Sequence, residues 1–266
     1  MNVGIGVCMS AIKDEAICIG STRYSESSQI VTLFSKEHGL IKAIAKGARR
    51  PKGKFGGGID LLTAARIIFS VSSSDATLAL LHEYVTCEPF GLLRNDLLAL
   101  NCGQFAGDML SKFTECYDPH ELLYSGFYQT LGKLQLPSNN PLLSIVEFQF
   151  FLFQEVGLSP VFSHCSICGK ILPEQDINGF PKLYFSSHNG GMLCRVCEAS
   201  SEEKRMVQAN VLALLKQPHL LEQAESSSLF EVFELLSYHQ REQTGKQSPI
   251  STFLNQLFRG HLKKIQ

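Results

Sequence analysis

Leu40–Gly58 reads LIKAIAKGARRPKGKFGGG. Its first seven residues alternate as a strand does: Lys42, Ile44 and Lys46 share one face, and Ile41, Ala43 and Ala45 the other. At Gly47 the pattern breaks into a loop bearing Arg49, Arg50, Lys52 and Lys54, which ends in three consecutive glycines. From Lys36 to Lys54 there are seven Lys/Arg against one acid, Glu37, so the stretch has the electrostatic footprint of a polyanion partner such as a nucleic-acid backbone. The plainer reading is a solvated surface loop. Against it stand the single sign of the charges, the two lysines on a strand face, and glycines that let another backbone approach closely.

Outward from this stretch, residues 1–85 read as all-β. The expected strands are Gly4–Ile12, Glu15–Ser21, Gln29–Ser35, Leu40–Lys46, Leu61–Val71 and Ala76–Val85, separated by the turn-rich KDE, SESS, KEHG and SSSD. So many short strands predict a small barrel, with a five-stranded OB-fold preferred and an SH3-like barrel as the alternative. In either barrel the basic strand and loop would offer a face along which a single strand can track.

After Pro89 the period becomes helical. Leu98, Cys102, Phe105, Met109, Phe113 and Cys116 form one stripe, with Asn95 as the expected N-cap and Asp118-Pro119 as the stop. Leu123, Phe127, Leu131 and Leu134 predict a second helix, and Asn140-Pro141 opens a third that runs to Gly157. Its segment LLSIVEFQFFLFQEVGL is apolar nearly all round and is expected at the centre of a bundle. Toward the C-terminus a short helix near Gln208–Lys216 is expected. Ser228 with Glu231 suggests a capping box, Gly245 a stop, and Ser248-Pro249 the start of a last helix ending at Gly260.

Between these helical stretches lie two CxxC pairs, Cys165/Cys168 and Cys194/Cys197, joined by a hairpin candidate, KLYFSSHNGGMLC. Two such knuckles complete the tetrahedral thiolate shell that structural zinc prefers and leave no open position for catalysis. A redox CxxC would open a helix within a βαβ unit, which is not visible here. Two disulfides are the other competing reading. His164 and His188 read as bystanders.

The organisation predicted is therefore an α+β multidomain chain: an N-terminal OB-fold β-barrel followed by an all-α helical domain with an inserted four-cysteine zinc knuckle. The expected boundaries are 1–88 for the barrel, 89–160 with 200–266 for the helices, and 161–199 for the insertion, holding one structural Zn2+. Charge follows this division: residues 1–71 carry +5, 72–160 carry −7 and 161–266 carry +1, which predicts different tasks for them. No apolar run reaches a membrane span and the first 20 residues lack a signal-peptide profile. With five further cysteines scattered without pattern, this predicts a reduced, cytoplasmic protein.

The run Arg23–Leu62, with Tyr24, Glu26, Ser27–Ser28, the His38-Gly39 turn and then AKGARRPK, resembles the N-terminal signature of the bacterial RecO recombination-mediator family. LLHEYVTCEPFGLLRNDL resembles that family's junction between barrel and helices, and EFQFFLFQEVGLSPVFSHCSICGK with GGMLCRVC its later helix and cysteine knuckle. The likeness spans nearly the whole chain; an N-terminal extension and a weakly patterned loop from Pro173 to Pro181 depart from it. It implies an OB-fold, a helical domain, a structural zinc site, binding of single- and double-stranded DNA, strand annealing, and recombinase loading on SSB-coated DNA. RecR and the single-strand binding protein SSB are the implied partners. With the basic stretch, it makes Arg23, Lys42, Lys46, Arg49, Arg50, Lys52 and Lys54 the candidate DNA-binding side chains, with Tyr24 and Phe55 as stacking candidates.

Enzyme readings find no support. GxxxxGK[ST], HExxH, GxSxG and zinc-deaminase patterns are absent, and Asp60 stands almost alone beside the basic loop where a nuclease needs several carboxylates. The competing non-catalytic reading is an interaction scaffold whose basic loop binds an acidic protein tail.

Overall fold

The computed structural model describes residues 11–71, 78–172 and 183–265. Five strands close into a barrel: β1 Ile12–Arg23, β2 Gln29–Ser35, β3 Gly39–Ala45, β4 Ala64–Ser70 and β5 Ala79–Glu88. Their order round the barrel is β1-β2-β3-β5-β4, antiparallel except for the β3–β5 pair, where Ala43 and Ala79 are parallel partners. This is the OB-fold arrangement, and it sets aside the SH3-like alternative. The alternation read in β3 holds: Ile41, Ala43 and Ala45 are fully buried, whereas Lys42 and Lys46 are exposed. With Val31, Leu33, Ile67, Phe69 and Leu81 they form the barrel core.

The KDE turn expected at residues 13–15 does not form; β1 runs straight through it. Asp14 accounts for the difference. Its carboxylate accepts the backbone N–H of Glu15 (2.7 Å) and of Glu37 (3.2 Å) and lies 2.8 Å from His38 Nδ1. A buried carboxylate so supplied need not turn the chain toward water. The strand expected at Gly4–Ile12 lies outside the described residues apart from its last two.

The β2–β3 turn is closed by Gly39 at φ +63°, and a Cβ there would collide with the carbonyl of Asp118. Gly39→Ala is therefore expected to destabilise the protein by about 2–4 kcal/mol, combining backbone strain with a steric clash. Urea denaturation of the full chain measures it, and a loss under about 0.5 kcal/mol would contradict the account.

Six α-helices follow among the described residues: α1 Leu97–Phe113, α2 Glu121–Leu134, α3 Pro141–Glu155, α4 Ala209–Lys216, α5 Ser226–Thr244 and α6 Pro249–Ile265. Between α3 and α4 a three-stranded sheet, ordered β7-β6-β8, joins β6 Leu183–Ser186, β7 Gly191–Leu193 and β8 Arg205–Val207. Asn140 caps α3 as expected, accepting from Leu142 N–H at 3.0 Å, and Gly245 ends α5 in the left-handed conformation. Three other end signals acted differently. Asp96, not Asn95, caps α1 by accepting from Leu98 and Ala99. The Ser228/Glu231 box does not form: α5 begins two residues earlier, and these side chains accept from Asn210 and Gln208 instead. Gly260 does not stop α6, which continues to Ile265.

Packing divides the described residues into two compact units, one within Met1–Leu93 and Leu110–Gln135, the other within Arg94–Met109 and Leu136–Gln266. In the second, α3 lies against α5, where Gln149 Nε2 donates to Ser237 Oγ at 3.1 Å. Phe105, Phe233 and Phe258 meet edge-on around the fully buried Phe233 ring. Burial of such a ring is worth roughly 1.5–3 kcal/mol.

Candidate nucleic-acid interface and metal centre

The basic loop is held by its apolar residues and its backbone, which leaves its cations outside. Ala48 and Phe55 are buried in the barrel core, and Ile59 joins them. Successive turns run along the loop: Arg50 N–H donates to Gly47 O at 3.1 Å, Gly53 N–H to Arg50 O at 2.8 Å, and Gly56 N–H to Gly53 O at 3.1 Å. Gly56, Gly57 and Gly58 all have positive φ (72°, 114° and 136°), which side-chain-bearing residues adopt only with strain. At the loop's exit Gln29 acts as a clip: its Oε1 accepts Ile59 N–H at 3.0 Å and its Nε2 donates to Ser21 Oγ at 3.0 Å.

The same loop is tied to the β1–β2 turn. Arg49 N–H donates to Ser27 O at 3.0 Å and Gly47 N–H to Ser28 Oγ at 3.4 Å. Arg23 pairs across to Gln29, and Gln29 to Ala45, so Arg23 stands at the barrel end from which the loop leaves. The seven candidate cations, Arg23, Lys42, Lys46, Arg49, Arg50, Lys52 and Lys54, are all exposed. Among the described residues none of them pairs with a carboxylate. Tyr24, 62% exposed, lies in the tied turn beside them. Phe55 does not serve as a stacking surface: it is only 8% exposed within the core, with Lys54 Nζ 5.2 Å from its ring centre. Alternation around the glycines gave no sign that this aromatic is an anchor.

The four cysteines come together as their spacing predicts. The Sγ atoms of Cys165, Cys168, Cys194 and Cys197 lie within 4.8 Å of one another, and those of Cys168 and Cys194 are 3.7 Å apart. That separation is far beyond a disulfide bond. It matches the edge of a tetrahedron with Zn–S bonds of about 2.3 Å, roughly 3.8 Å. The first knuckle closes through Cys165 N–H to Lys170 O (2.8 Å) and Gly169 N–H to Cys165 O (2.9 Å). The second is reached by the β6–β7 hairpin, and Ser166 N–H to Met192 O (2.9 Å) joins the two.

The thiols do not ionise alike. Burial resists ionisation of Cys165, but backbone N–H groups of Cys194, Cys168 and Ile167 outweigh it and bring the thiol down to about 6. Cys197, hydrogen-bonded to the sulfurs of Cys194 and Cys168, is pushed up to about 12. The cluster thus shares protons that a dication would displace, and its residues fit a metal. By contrast, burial pushes Cys18 up to about 12 and Cys102 well above the ordinary thiol value, which makes both inert. Asp14, Glu37 and His38 also lie within ligand distance of each other, but the Asp14 carboxylate is already occupied by backbone donors.

No spacing or motif points to the residues that pin this insertion. Glu203 accepts from Ser186 Oγ (2.7 Å), Ser187 N–H (3.2 Å) and His188 N–H (3.0 Å), fixing the hairpin turn. His188 and His164 stay out of the sulfur cluster, and His164 Nδ1 pairs with Ser163 Oγ. The buried His239 of α5 lies between Ser187 Oγ (2.7 Å from Nδ1) and Leu158 O (3.0 Å from Nε2). The carbonyl requires a proton on Nε2, so Nδ1 of the neutral ring accepts from Ser187.

Burial holds the His239 pKa below its ordinary value, against smaller opposing effects of Leu158 O and Glu203. The unfolded chain then binds the proton more readily. His239's contribution is complete above about pH 6.5 and is lost as pH falls through the lower folded value. The urea midpoint should accordingly fall between pH 7 and pH 5, and less steeply in His239→Gln. Parallel slopes in the two proteins would remove His239 from the pH response.

Comparison with known proteins agrees with this architecture. The family model described as Recombination protein O N terminal matches residues 9–90, and that described as Recombination protein O C terminal matches residues 94–248. The chain is 30% identical over 202 residues to the DNA repair protein RecO of Rhodopirellula baltica, covering 76% of this chain and 73% of that protein. It is 27% identical over 208 residues to DNA repair protein RecO of Myxococcus xanthus (78% and 81% covered) and 26% identical over 204 residues to that of Listeria monocytogenes (77% and 75%). A five-stranded barrel, a helical region with a four-cysteine cluster, and two family matches that together span most of the sequence lead to one conclusion: the chain belongs to the RecO family of DNA repair proteins, non-catalytic mediators of recombination.

Proposed function

We propose that this protein binds single- and double-stranded DNA through the basic end of its barrel and promotes annealing and recombinase loading on SSB-coated DNA without hydrolysing a nucleotide. The observation that carries the reading is the set of seven exposed cations, Arg23, Lys42, Lys46, Arg49, Arg50, Lys52 and Lys54, on a strand, a loop and a turn tied together by hydrogen bonds. The contacts are chiefly to phosphates: the side chains are cationic and Tyr24 is the exposed aromatic in the tied turn, so sequence preference is expected to be slight. The work is divided between a DNA-binding barrel (1–88), a helical domain (89–160 and 200–266) and the insertion (161–199), whose four cysteines hold one structural Zn2+. Family membership supports RecR and SSB as partners and a cytoplasmic site of action. Among the described residues no helix is long and apolar enough to cross a membrane.

Annealing follows from charge neutralisation, which lets two polyanions approach before base pairing takes over. Complementary oligonucleotides mixed with the purified full-length chain should therefore anneal as fast without ATP as with it. An absolute ATP requirement would overturn the mechanism. Failure to bind bare DNA at low salt, with retention of an acidic peptide, would favour the scaffold reading.

A further inference from the structure

A second site lies in the helical unit, where α5 ends and α6 begins. A polar cavity of about 100 Å³ is lined there by Gln240, Arg241, Lys246, Ser248 and Asn255, with Arg205 and Glu234 at its side. Gln240 is 2% exposed, yet neither its Nε2 nor its Oε1 has a hydrogen-bond partner. Asn255 donates from Nδ2 to Ser251 O at 3.0 Å and leaves a buried, unpartnered Oδ1. A buried amide with both ends unsatisfied destabilises the fold unless something else occupies its bonds.

The surrounding charge says what that occupant is. Arg205, Arg241 and Lys246 line the cavity with one carboxylate, Glu234; Arg259 engages Glu234 and Arg241 engages Glu242, each at 2.6 Å, so that among the described residues Arg205 and Lys246 pair with no carboxylate. Arg205 and Arg241 both stack on the Tyr238 ring, at 4.9 and 5.1 Å. The first turn of α6 places the positive end of a 17-residue helix beside the cavity, with its Ser251 N–H already capped by Ser248 Oγ at 3.2 Å. The C-terminal end of α5 has the opposite polarity, so the two dipoles offset each other and the two cations that pair with no carboxylate, Arg205 and Lys246, decide the sign. The occupant is an anion. It must also donate a proton, because Asn255 Oδ1 and Gln240 Oε1 are acceptors.

We propose that this cavity binds a monoprotonated phosphate group, as inorganic phosphate or as a terminal phosphate monoester, with Gln240 Nε2 donating to an anionic oxygen and the single P–O–H donating to Gln240 Oε1 or Asn255 Oδ1. Phosphodiesters and sulfate lack that proton and are excluded. The site goes beyond DNA binding by the barrel and does not depend on it.

The test is calorimetric titration of the full-length chain at pH 7 with inorganic phosphate, AMP and sulfate at matched ionic strength. A 5′-phosphorylated oligothymidylate is then compared with its 5′-hydroxyl form. Saturable one-to-one binding of inorganic phosphate, at least about tenfold tighter than sulfate, is expected. Preference for the 5′-phosphorylated strand or AMP would support the proposal with a monoester as the source. In Arg241→Ala/Lys246→Ala, at two exposed positions, phosphate affinity should fall about tenfold or more. Gln240→Leu should abolish phosphate binding while thermal stability is kept or raised, since its unpartnered polar atoms are gone. Arg49→Ala/Arg50→Ala/Lys52→Ala should bind phosphate as the wild type does. Equal affinity for sulfate, no saturable binding of any phosphate, or unchanged binding in both cavity variants would overturn the proposal.

Discussion

Replacing Arg49, Arg50 and Lys52 together by alanine is expected to weaken binding of single-stranded DNA roughly a hundredfold at 0.1 M salt. Each neutralised phosphate contributes about 0.7 to the slope of log affinity against log salt for a single strand, so three lost contacts remove about two decades at that concentration. The wild-type slope should be roughly −3 to −4 if about five phosphates are engaged, and the variant's roughly −1 to −2. The loss should be the same for any base sequence, because phosphate contacts carry none. Fluorescence anisotropy across a salt series measures both quantities. Folding should be untouched, since all three side chains are exposed and the loop is held by Ala48, Phe55 and backbone bonds. An unchanged slope in a folded variant would place the contacts elsewhere, with the Lys263–Lys264 segment the next to test.

Loss of a single cysteine should have an equally large effect, on a different part of the molecule. Purified chain is expected to contain one zinc, and Cys165→Ser to contain none. The hairpin of the insertion pairs with β8 in a sheet whose strands have only four, three and three residues, too little apolar surface to fold alone. Metal binding, worth about 10–16 kcal/mol in comparable thiolate sites, should supply most of its folding free energy. In the variant, residues 183–200 should become protease-sensitive and a thermal transition should disappear, while DNA binding at the barrel persists. Because Cys197 holds its proton to about 12 without metal, zinc uptake should release protons and weaken as pH falls. A wild type free of metal, with four titratable thiols and undiminished stability, would refute the assignment.

What could be read from sequence divides along physical lines. The face of β3, the cap at Asn140 and the sulfur cluster were legible because each depends on local spacing: a period of two, a dipeptide, and two CxxC knuckles. Asp14 was misread because a carboxylate's fate depends on donors from Glu37 and His38, more than 20 residues away. The Ser228/Glu231 pair matched a capping box, yet tertiary partners at Gln208 and Asn210 took both side chains. Phe55 reads as a stacking candidate from sequence because a glycine-rich loop carries no period that would tell an anchor from an exposed ring. At the phosphate cavity, Gln240 reads as one more helical glutamine; only its burial without partners distinguishes it.

The architecture of the basic loop also bears on how such a protein can change. The residues that hold its shape (Ala48, Phe55, Ile59, the glycine run and the Gln29 clip) are separate from those that carry charge. Exchanging Lys46, Arg49, Arg50, Lys52 or Lys54 for neutral or acidic residues should alter stability by no more than about 0.5 kcal/mol. Affinity for a polyanion can then drift over decades along a nearly neutral path in folding, one surface position at a time. Substitution at Phe55 has no such freedom, since a change there disturbs the fold before it can tune binding.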